Sequence, residues 1–300
     1  MLPEDAGFNE ARSIWNAMID RRPAMILRCA GVADVRRGIA FARANNLPLA
    51  VRGGGHNIAG SALCEDGLVM DFSQMKSVRI DPVARRAYVE PGATLADFDH
   101  EAQAFGLATP LGINSTTGAA GLTLGGGFGW LSRKYGMTVD NLISADVVTA
   151  EGELLRASAE SNQDLFWAIR GGCNFGVVTS FEFALRPVGP MVYGGLVVFP
   201  LAQARDALVK YRAASTQMPD DLSVWAVLRL APPLPFLPAD VHGQPVIIFA
   251  NCYTGPTANG PSAVAQVKTF GTPVGEHLGE MPFVAWQQAF DPLLTGSRNY

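Results

Sequence analysis

Cysteine and histidine are both scarce in this chain. The four cysteines, Cys29, Cys64, Cys173 and Cys252, show no Cys-x-x-Cys spacing, and His56, His100, His242 and His277 stand far apart. That pattern argues against a disulfide scaffold and offers no zinc-ligand spacing, so reduced thiols and no metal are expected. Excess positive charge is missing as well. A net charge of −4 supplies no basic stripe for nucleic acid or an anionic membrane. No apolar run approaches the roughly 20 residues that a membrane-spanning helix needs. The first residues, MLPEDAG, are acidic where a secretory leader would be basic and then apolar. A cytoplasmic protein with no membrane partner is the expectation, and nothing in the pattern reads out an oligomeric state.

What the chain does have is glycine. Its 32 glycines and 20 prolines are spread through 300 residues rather than gathered in a tract, which means many loops. With 48% apolar and 17% charged residues, the length suffices for two domains with their own cores. Apolar spacing predicts a helix over residues 8–19, a strand over 24–28 and a helix over 33–45. Residues 47–52 read as a buried strand. Three β-type runs follow, at 67–71, 77–81 and 86–90. Thr94 reads as the N-cap of a helix reaching residue 105, in which His100 faces solvent. A hairpin over 143–156, a helix over 164–169 and a strand over 177–185 complete the first part.

Pro187 and Pro190 mark a junction, giving an expected first domain at 1–190 and a second at 191–300. In the second, a strand to residue 199, a helix over 201–216, strands over 222–230 and 245–253 and a helix from Pro261 predict an antiparallel sheet with helices on one face. The other face would be free to cover a ligand. Alternation places Ser223, Trp225 and Arg229 on one face of the first of those two strands, and Asn251 and Tyr253 on one face of the second.

Two stretches carry the chemistry. The first is Val51-Arg52-Gly53-Gly54-Gly55-His56-Asn57, continued by Ile58, Ala59, Gly60 and Ser61. Without a Cβ, successive glycines can take positive φ and turn their N–H groups toward one anion such as a pyrophosphate, with the histidine on the rim. The second, residues 112–129, holds seven glycines in eighteen positions. That density suits a backbone laid against a planar cofactor. The run at Gly125, Gly126, Gly127 and Gly129 imitates a dinucleotide fingerprint but lacks the long helix and the acidic residue about twenty positions on.

These stretches resemble, in order, the motifs of the FAD-linked oxidases of the vanillyl-alcohol-oxidase and p-cresol-methylhydroxylase type, berberine-bridge-enzyme-like branch. The matching segments are RGGGH at 52–56, GINSTTG at 112–118, GLTLGGGFG at 121–129, TVDNL at 138–142 and NFGVVT at 174–179. The resemblance implies an α+β chain: a two-part FAD-binding domain of the p-cresol-methylhydroxylase type, then an incomplete antiparallel-sheet substrate domain. It implies FAD contacts from Arg52, Gly53, Gly54, Gly55, His56, Asn57, Gly60 and Ser61 in the first loop. From the second it implies Gly112, Asn114, Ser115, Thr117, Gly118, Gly121, Leu122, Gly125, Gly126, Gly127 and Gly129. Asn141, Gly176, Val177 and Val178 complete the set.

In the family the histidine, here His56, is joined to the C8α methyl of the flavin. Asn114 stands where some members carry a cysteine that makes a second bond, so no second cysteinyl bond is implied. Cys173 falls where the family usually has glycine, either as a tolerated small residue or as a reactive thiol. The implied reaction takes hydride from a C–H next to a hydroxyl or amine of a small molecule or sugar and passes electrons to O2, giving hydrogen peroxide. A non-covalent flavin reductase on the same fold, or a non-catalytic flavin-binding fragment, stay open beside it. Relatives are longer, so the sheet is expected to end open after Tyr253, with the catalytic base beyond residue 300. Trp225, Arg229, Asn251 and Tyr253 are the expected substrate face.

Overall fold

The structure is a computed structural model and describes residues 1–172 and 175–300. The chain divides into two compact units. The first comprises Met1–Gly129, Tyr135–Pro187 and Gln287–Tyr300; the second comprises Trp130–Lys134 and Val188–Trp286.

The first unit begins with α1 (Phe8–Ala11), β1 (Met25–Arg28), α2 (Val32–Ala44), β2 (Leu49–Arg52) and β3 (Leu68–Asp71). The strands form a parallel sheet in the order β1-β3-β2. β3 is central and buried along its length. α2 presents Val35, Ile39 and Ala42 to Leu68 and Met70 on one side of this sheet, and Phe8, Ala11 and Ile14 join the cluster that contains Ile26 and Val69. Two expectations change here. β2 is an edge strand in which only Ala50 is buried, so the 47–51 run is not a buried strand. Its apolar Leu49 and Val51 instead line cavities.

The helix expected over 8–19 stops at Ala11. Beyond it the Trp15 N–H donates to the Gly55 carbonyl and Asn16 bridges to Arg298, so tertiary hydrogen bonds replace the helical ladder.

The remainder of this unit is built on β4 (Val78–Asp81), β5 (Arg86–Val89), α3 (Leu95–Gln103), β6 (Leu107–Ala108) and α4 (Ala119–Leu124); the single turn α5 (Ser132–Tyr135), next in the chain, falls largely in the second unit. Then come β7 (Leu142–Val148), β8 (Leu154–Ser158), α6 (Gln163–Ile169), β9 (Val177–Ala184) and β10 (Arg186–Pro187), which pairs with β6. The main sheet is antiparallel in the order β4-β5-β9-β7-β8. α3 starts with a capping box in which Thr94 and Asp97 satisfy each other's backbone N–H. Its Leu95, Phe98 and Ala102 pack on Phe181 and Phe183 of β9, beside Phe166 and Ile169 of α6. Each fully buried phenylalanine there stabilises the unit by roughly 1.5–3 kcal/mol. His100 points outward, as its place on the apolar pattern requires.

The second unit is a sheet of β11 (Met191–Pro200), β12 (Leu222–Leu230), β13 (Pro245–Tyr253) and β14 (Gly275–Pro282), with α7 (Ala204–Ser215) and α8 (Gly260–Val264). The order is β12-β13-β11-β14, all antiparallel. β14 overturns the expectation of a sheet ending at Tyr253: residues 275–282 pair with Met191–Val198 of β11. One face carries Val197, Phe199, Leu222, Val224, Ile247, Phe249 and Tyr253, packed against α7, α8 and Phe270. The opposite face is not free throughout. Ala231, Leu234, Phe236 and Leu237 fold onto Val198, Val246 and Ile248. Among the described residues no helix is long and apolar enough to cross a membrane, and no group of three acidic, histidine or cysteine side chains could hold a metal.

Candidate cofactor site

Within the first unit three backbone segments meet around a cleft of about 350 Å³. The loop after β2 brings Gly53, Gly54, Gly55, His56, Asn57 and Ser61; the segment entering α4 brings Thr117, Gly118, Gly121 and Leu122; and the start of β9 brings Gly176 and Val178. A second cavity of about 590 Å³ shares Val51, Ser61 and Gly176 with the first and adds Ile39, Arg43, Leu49 and Val177. The two sheets of this unit meet under α2, whose Val35, Ile39 and Ala42 share one cluster with Leu68 and Met70 of β3 and with Val148 and Val177, the end of β7 and the start of β9.

The glycines lining this region differ in what they do. A Cβ on Gly54 would stand 2.3 Å from the Gly118 nitrogen, and one on Gly118 would stand 2.4 Å from the Gly54 nitrogen. The two loops are therefore in direct backbone contact, which only glycine permits. Gly121 behaves differently: a Cβ there meets no atom within 4 Å. It forms an open wall of the cleft that any side chain would begin to fill, as a cradle for a flat cofactor requires.

The sequence-derived residues sort into three groups. Gly53, Gly54, Gly55, His56, Asn57, Ser61, Thr117, Gly118, Gly121, Leu122, Gly176, Val177 and Val178 line one or both cavities. Others shape the loops. The Asn57 side chain accepts the Ser61 N–H at 2.9 Å, and Gly60 turns with φ +75° beneath Ile19. Gly112 packs under Leu95 and Leu122, while Gly126 and Gly127 receive the N–H groups of Val139 and Thr138.

A Cβ at Gly126 would enter the Met137 side chain and one at Gly129 would stand 1.7 Å from the Leu111 carbonyl. Gly125 has only ordinary contacts with its own helical turn. Whatever Gly54 and Gly126 contribute to an FAD contact, their missing side chains make room for protein.

The third group is held by other partners. Arg52 pairs with the buried Asp71 and donates to the Ala11 and Ser13 carbonyls. Burial opposes ionisation of Asp71, but the hydrogen bond from Ser73 and the Arg52 charge hold its carboxyl below the usual range. The Asn141 amide donates to the Tyr135 and Met137 carbonyls. The Asn114 amide donates to the Leu294 carbonyl at 2.7 Å, and Ser115 donates through both N–H and hydroxyl to Asp291. Cys173, and Asn174 of the NFGVVT match, lie outside the described residues.

His56 is half-buried at the edge of the cleft. Its Nε2 lies 2.9 Å from the Thr116 hydroxyl and its Nδ1 3.3 Å from the Thr117 hydroxyl. The ring stacks on Trp15 at 4.9 Å, and Tyr300 also stacks on that indole, at 3.9 Å. Burial pushes the imidazole pKa from 6.5 down to about 4, with Asp291 acting in the opposite sense, so the ring is neutral at pH 7. Trp15, Thr116 and Asp291 escaped sequence reading. Trp15 sits in the segment read as helix, Asp291 is 235 positions away by number (291 − 56), and Thr116 is one of two adjacent threonines that no spacing rule distinguishes.

In the second unit, the register pairs Trp225 with Ala250 and Arg229 with Val246, but Val224 with Asn251 and Leu222 with Tyr253. Directly paired residues point to one face, so Trp225 and Arg229 share a face that Asn251 and Tyr253 do not. The expected four-residue surface fails for the latter two. Tyr253 belongs to the helix-side core, and Asn251 is fully buried with its amide donating to Phe249. Trp225 stacks on Trp130 at 4.5 Å, which itself lies 5.1 Å from Trp286.

Comparison with known proteins places this geometry. Residues 23–158 match the FAD binding domain family. An FAD-linked oxidoreductase of Dictyostelium discoideum is 36% identical over 280 residues, covering 92% of this chain and 58% of that protein. The (R)-6-hydroxynicotine oxidase of Paenarthrobacter nicotinovorans is 38% identical over 200 residues, 66% of this chain and 44% of that protein. This chain thus spans about half the length of the curated relatives it matches. The crystal structure of 6-hydroxy-D-nicotine oxidase from Arthrobacter nicotinovorans superposes with a TM-score of 0.87 at 29% identity, covering 100% of this chain and 64% of that one. A xylooligosaccharide oxidase from Myceliophthora thermophila gives 0.82 at 26% identity, with 97% and 60% covered. This chain carries the FAD-binding domain of the vanillyl-alcohol-oxidase and p-cresol-methylhydroxylase type of FAD-linked oxidoreductase, with berberine-bridge-enzyme-like proteins among its relatives.

Proposed function

We propose that this chain serves an FAD-dependent oxidase, with the flavin in the cleft of the first unit and bonded to His56. The observation that carries the reading is the conjunction of a neutral, half-buried imidazole with the open wall at Gly121 along one continuous cleft. The bound flavin would accept hydride from a substrate C–H next to a hydroxyl or amine and return the electrons to dioxygen as hydrogen peroxide.

The chain's own residues bind and orient. Gly121 lets the backbone approach a flat or anionic group without an intervening side chain, and Gly53 and Gly118 line the same cleft. Leu122 and Val178 supply apolar contact and exclude water from the same cleft. Trp15 holds the plane of His56 by stacking. His56 would hold the flavin at its C8α methyl, each partner giving up one hydrogen that dioxygen, as the oxidant, would take up as hydrogen peroxide. Trp225, with Arg229 on the same face of its strand, is the part of the expected substrate surface that the register leaves together. A sugar or small aromatic alcohol would stack on the indole.

Purified protein tests the proposal: an oxidised-flavin absorbance spectrum, retained in the pellet after acid precipitation, supports it. Peroxide release on a panel of sugars, aromatic alcohols and secondary amines then defines the substrate class. Protein that folds but takes up no FAD would overturn it.

A further inference from the structure

Which nitrogen of His56 carries the proton follows from a chain of hydrogen bonds whose directions are all determined. The chain starts at Asn114, buried at 8% exposure. Its Nδ2 lies 2.7 Å from the Leu294 carbonyl, which can only accept, so Nδ2 is the amide nitrogen. The other side-chain atom lies 3.1 Å from the Thr116 N–H, which can only donate, so it is the oxygen. The amide is thereby oriented from both ends. Its Oδ1 also lies 2.6 Å from the Thr116 hydroxyl. Because Oδ1 has no hydrogen, the single hydroxyl hydrogen of Thr116 is used there. Thr116 Oγ1 can then only accept from the His56 Nε2 at 2.9 Å.

We infer that Asn114 and Thr116 act as a relay that fixes His56 as the Nε2–H tautomer and leaves the lone pair on Nδ1. Thr117 is consistent with this, since its hydroxyl is placed to donate to Nδ1 at 3.3 Å. Burial of the ring keeps the second proton off at neutral pH. Asn114 therefore has a task of its own. It stands where some relatives carry a cysteine anchor, and here it orients the threonine that selects the tautomer of the histidine. Thr116 and Asn114 are positioning residues, since neither lines the cleft. Resting on the reading above, the inference makes Nδ1 the nitrogen with electrons to offer for the flavin bond.

The test is long-range ¹⁵N–¹H NMR on the full chain, labelled at the histidine nitrogens and loaded with an FAD analogue lacking the C8 methyl, so that the ring cannot be alkylated. At pH 7 His56 should show a proton directly coupled to Nε2 and a pyridine-type shift at Nδ1. A proton on Nδ1 would overturn the inference. Thr116→Val should lose the preference for Nε2–H, and Thr116→Ser should restore it. A folded Thr116→Val chain with the parent tautomer would show that the relay does not set it. Should that variant not fold, the spectrum of the parent still decides the tautomer. Absorbance of the bound analogue reports flavin binding separately, so failure of the relay and failure of the cofactor reading are distinguishable.

Discussion

Gly54, in the loop after β2, and Gly121, inside α4, both line the same cleft. A Cβ at the first would lie 2.3 Å from a backbone nitrogen, while a Cβ at the second would meet nothing within 4 Å. One glycine lets two loops of protein touch, and the other leaves a wall bare. Identical residues thus answer to different physics. At Gly54 the cost of a side chain falls on folding, and at Gly121 it falls on whatever occupies the cleft. The same division separates two titrating groups of this unit. His56 stands half-buried on the cleft rim, whereas Asp99 of α3 is fully enclosed and accepts one hydrogen bond from Gln287.

The largest expected effect lies on the packed side. Gly54→Val must part the 54 and 118 loops, so its loss of stability should reach or exceed the upper end of the roughly 1–3 kcal/mol usual for overpacking. Thermal unfolding checks this, and a variant melting with the parent would break the comparison. Gly121→Leu should do the reverse. Its unfolding free energy should stay within about 0.5 kcal/mol of the parent, as for a surface change, while flavin content falls sharply. Normal flavin in that variant would show that the open wall does not face the cofactor.

Stability against pH sharpens the contrast, because the two groups act with opposite sign. Burial lowers the His56 pKa to about 4, so the unfolded chain binds the extra proton between about 4 and 6.5. This contribution is complete above pH 6.5 and is lost as pH falls toward 4. Burial raises the Asp99 pKa from 3.8 to about 7, outweighing the Gln287 hydrogen bond. Its folded form holds the proton, so this contribution is complete below pH 3.8 and is lost as pH rises to about 7. The slopes oppose each other over most of the same window. Asp99→Asn should leave a profile that rises from pH 4 to 6.5, and His56→Gln one that falls over the same range, both read by denaturant unfolding at stepped pH. Parallel profiles in the two variants would contradict the assignment.

The smallest effect concerns backbone entropy. Gly121→Ala, inside α4 and without contacts, should stabilise by about 0.5–1 kcal/mol. Calorimetry that finds a loss instead would mean that the position is crowded.

Much of this was legible in the sequence because it is local. The capping box at Thr94 and Asp97, the hairpin of β7 and β8 and the loop holding His56 all follow from short spacings. What was not legible depends on distant pairing. β14 reads GEHLGEMP, with two glycines, a proline and no β-branched residue; it is a strand because β11 offers it an edge. The faces of β12 and β13 were misjudged because a long connection hides their register, and one step of register reverses every side chain. The helix over 8–19 has real apolar spacing, but Arg52, Gly55 and Arg298 compete for its backbone. The hydroxyls facing His56 come from 60 and 61 positions away.

The central claim is that His56 carries the flavin. Acid precipitation of the parent chain and of His56→Ala, followed by absorbance of pellet and supernatant, tests it most directly. The account predicts a yellow pellet for the parent, with the chain heavier by one FAD, and a colourless pellet for His56→Ala with any flavin released to the supernatant. A colourless parent pellet from flavin-loaded protein, or a yellow one from the variant, would contradict it.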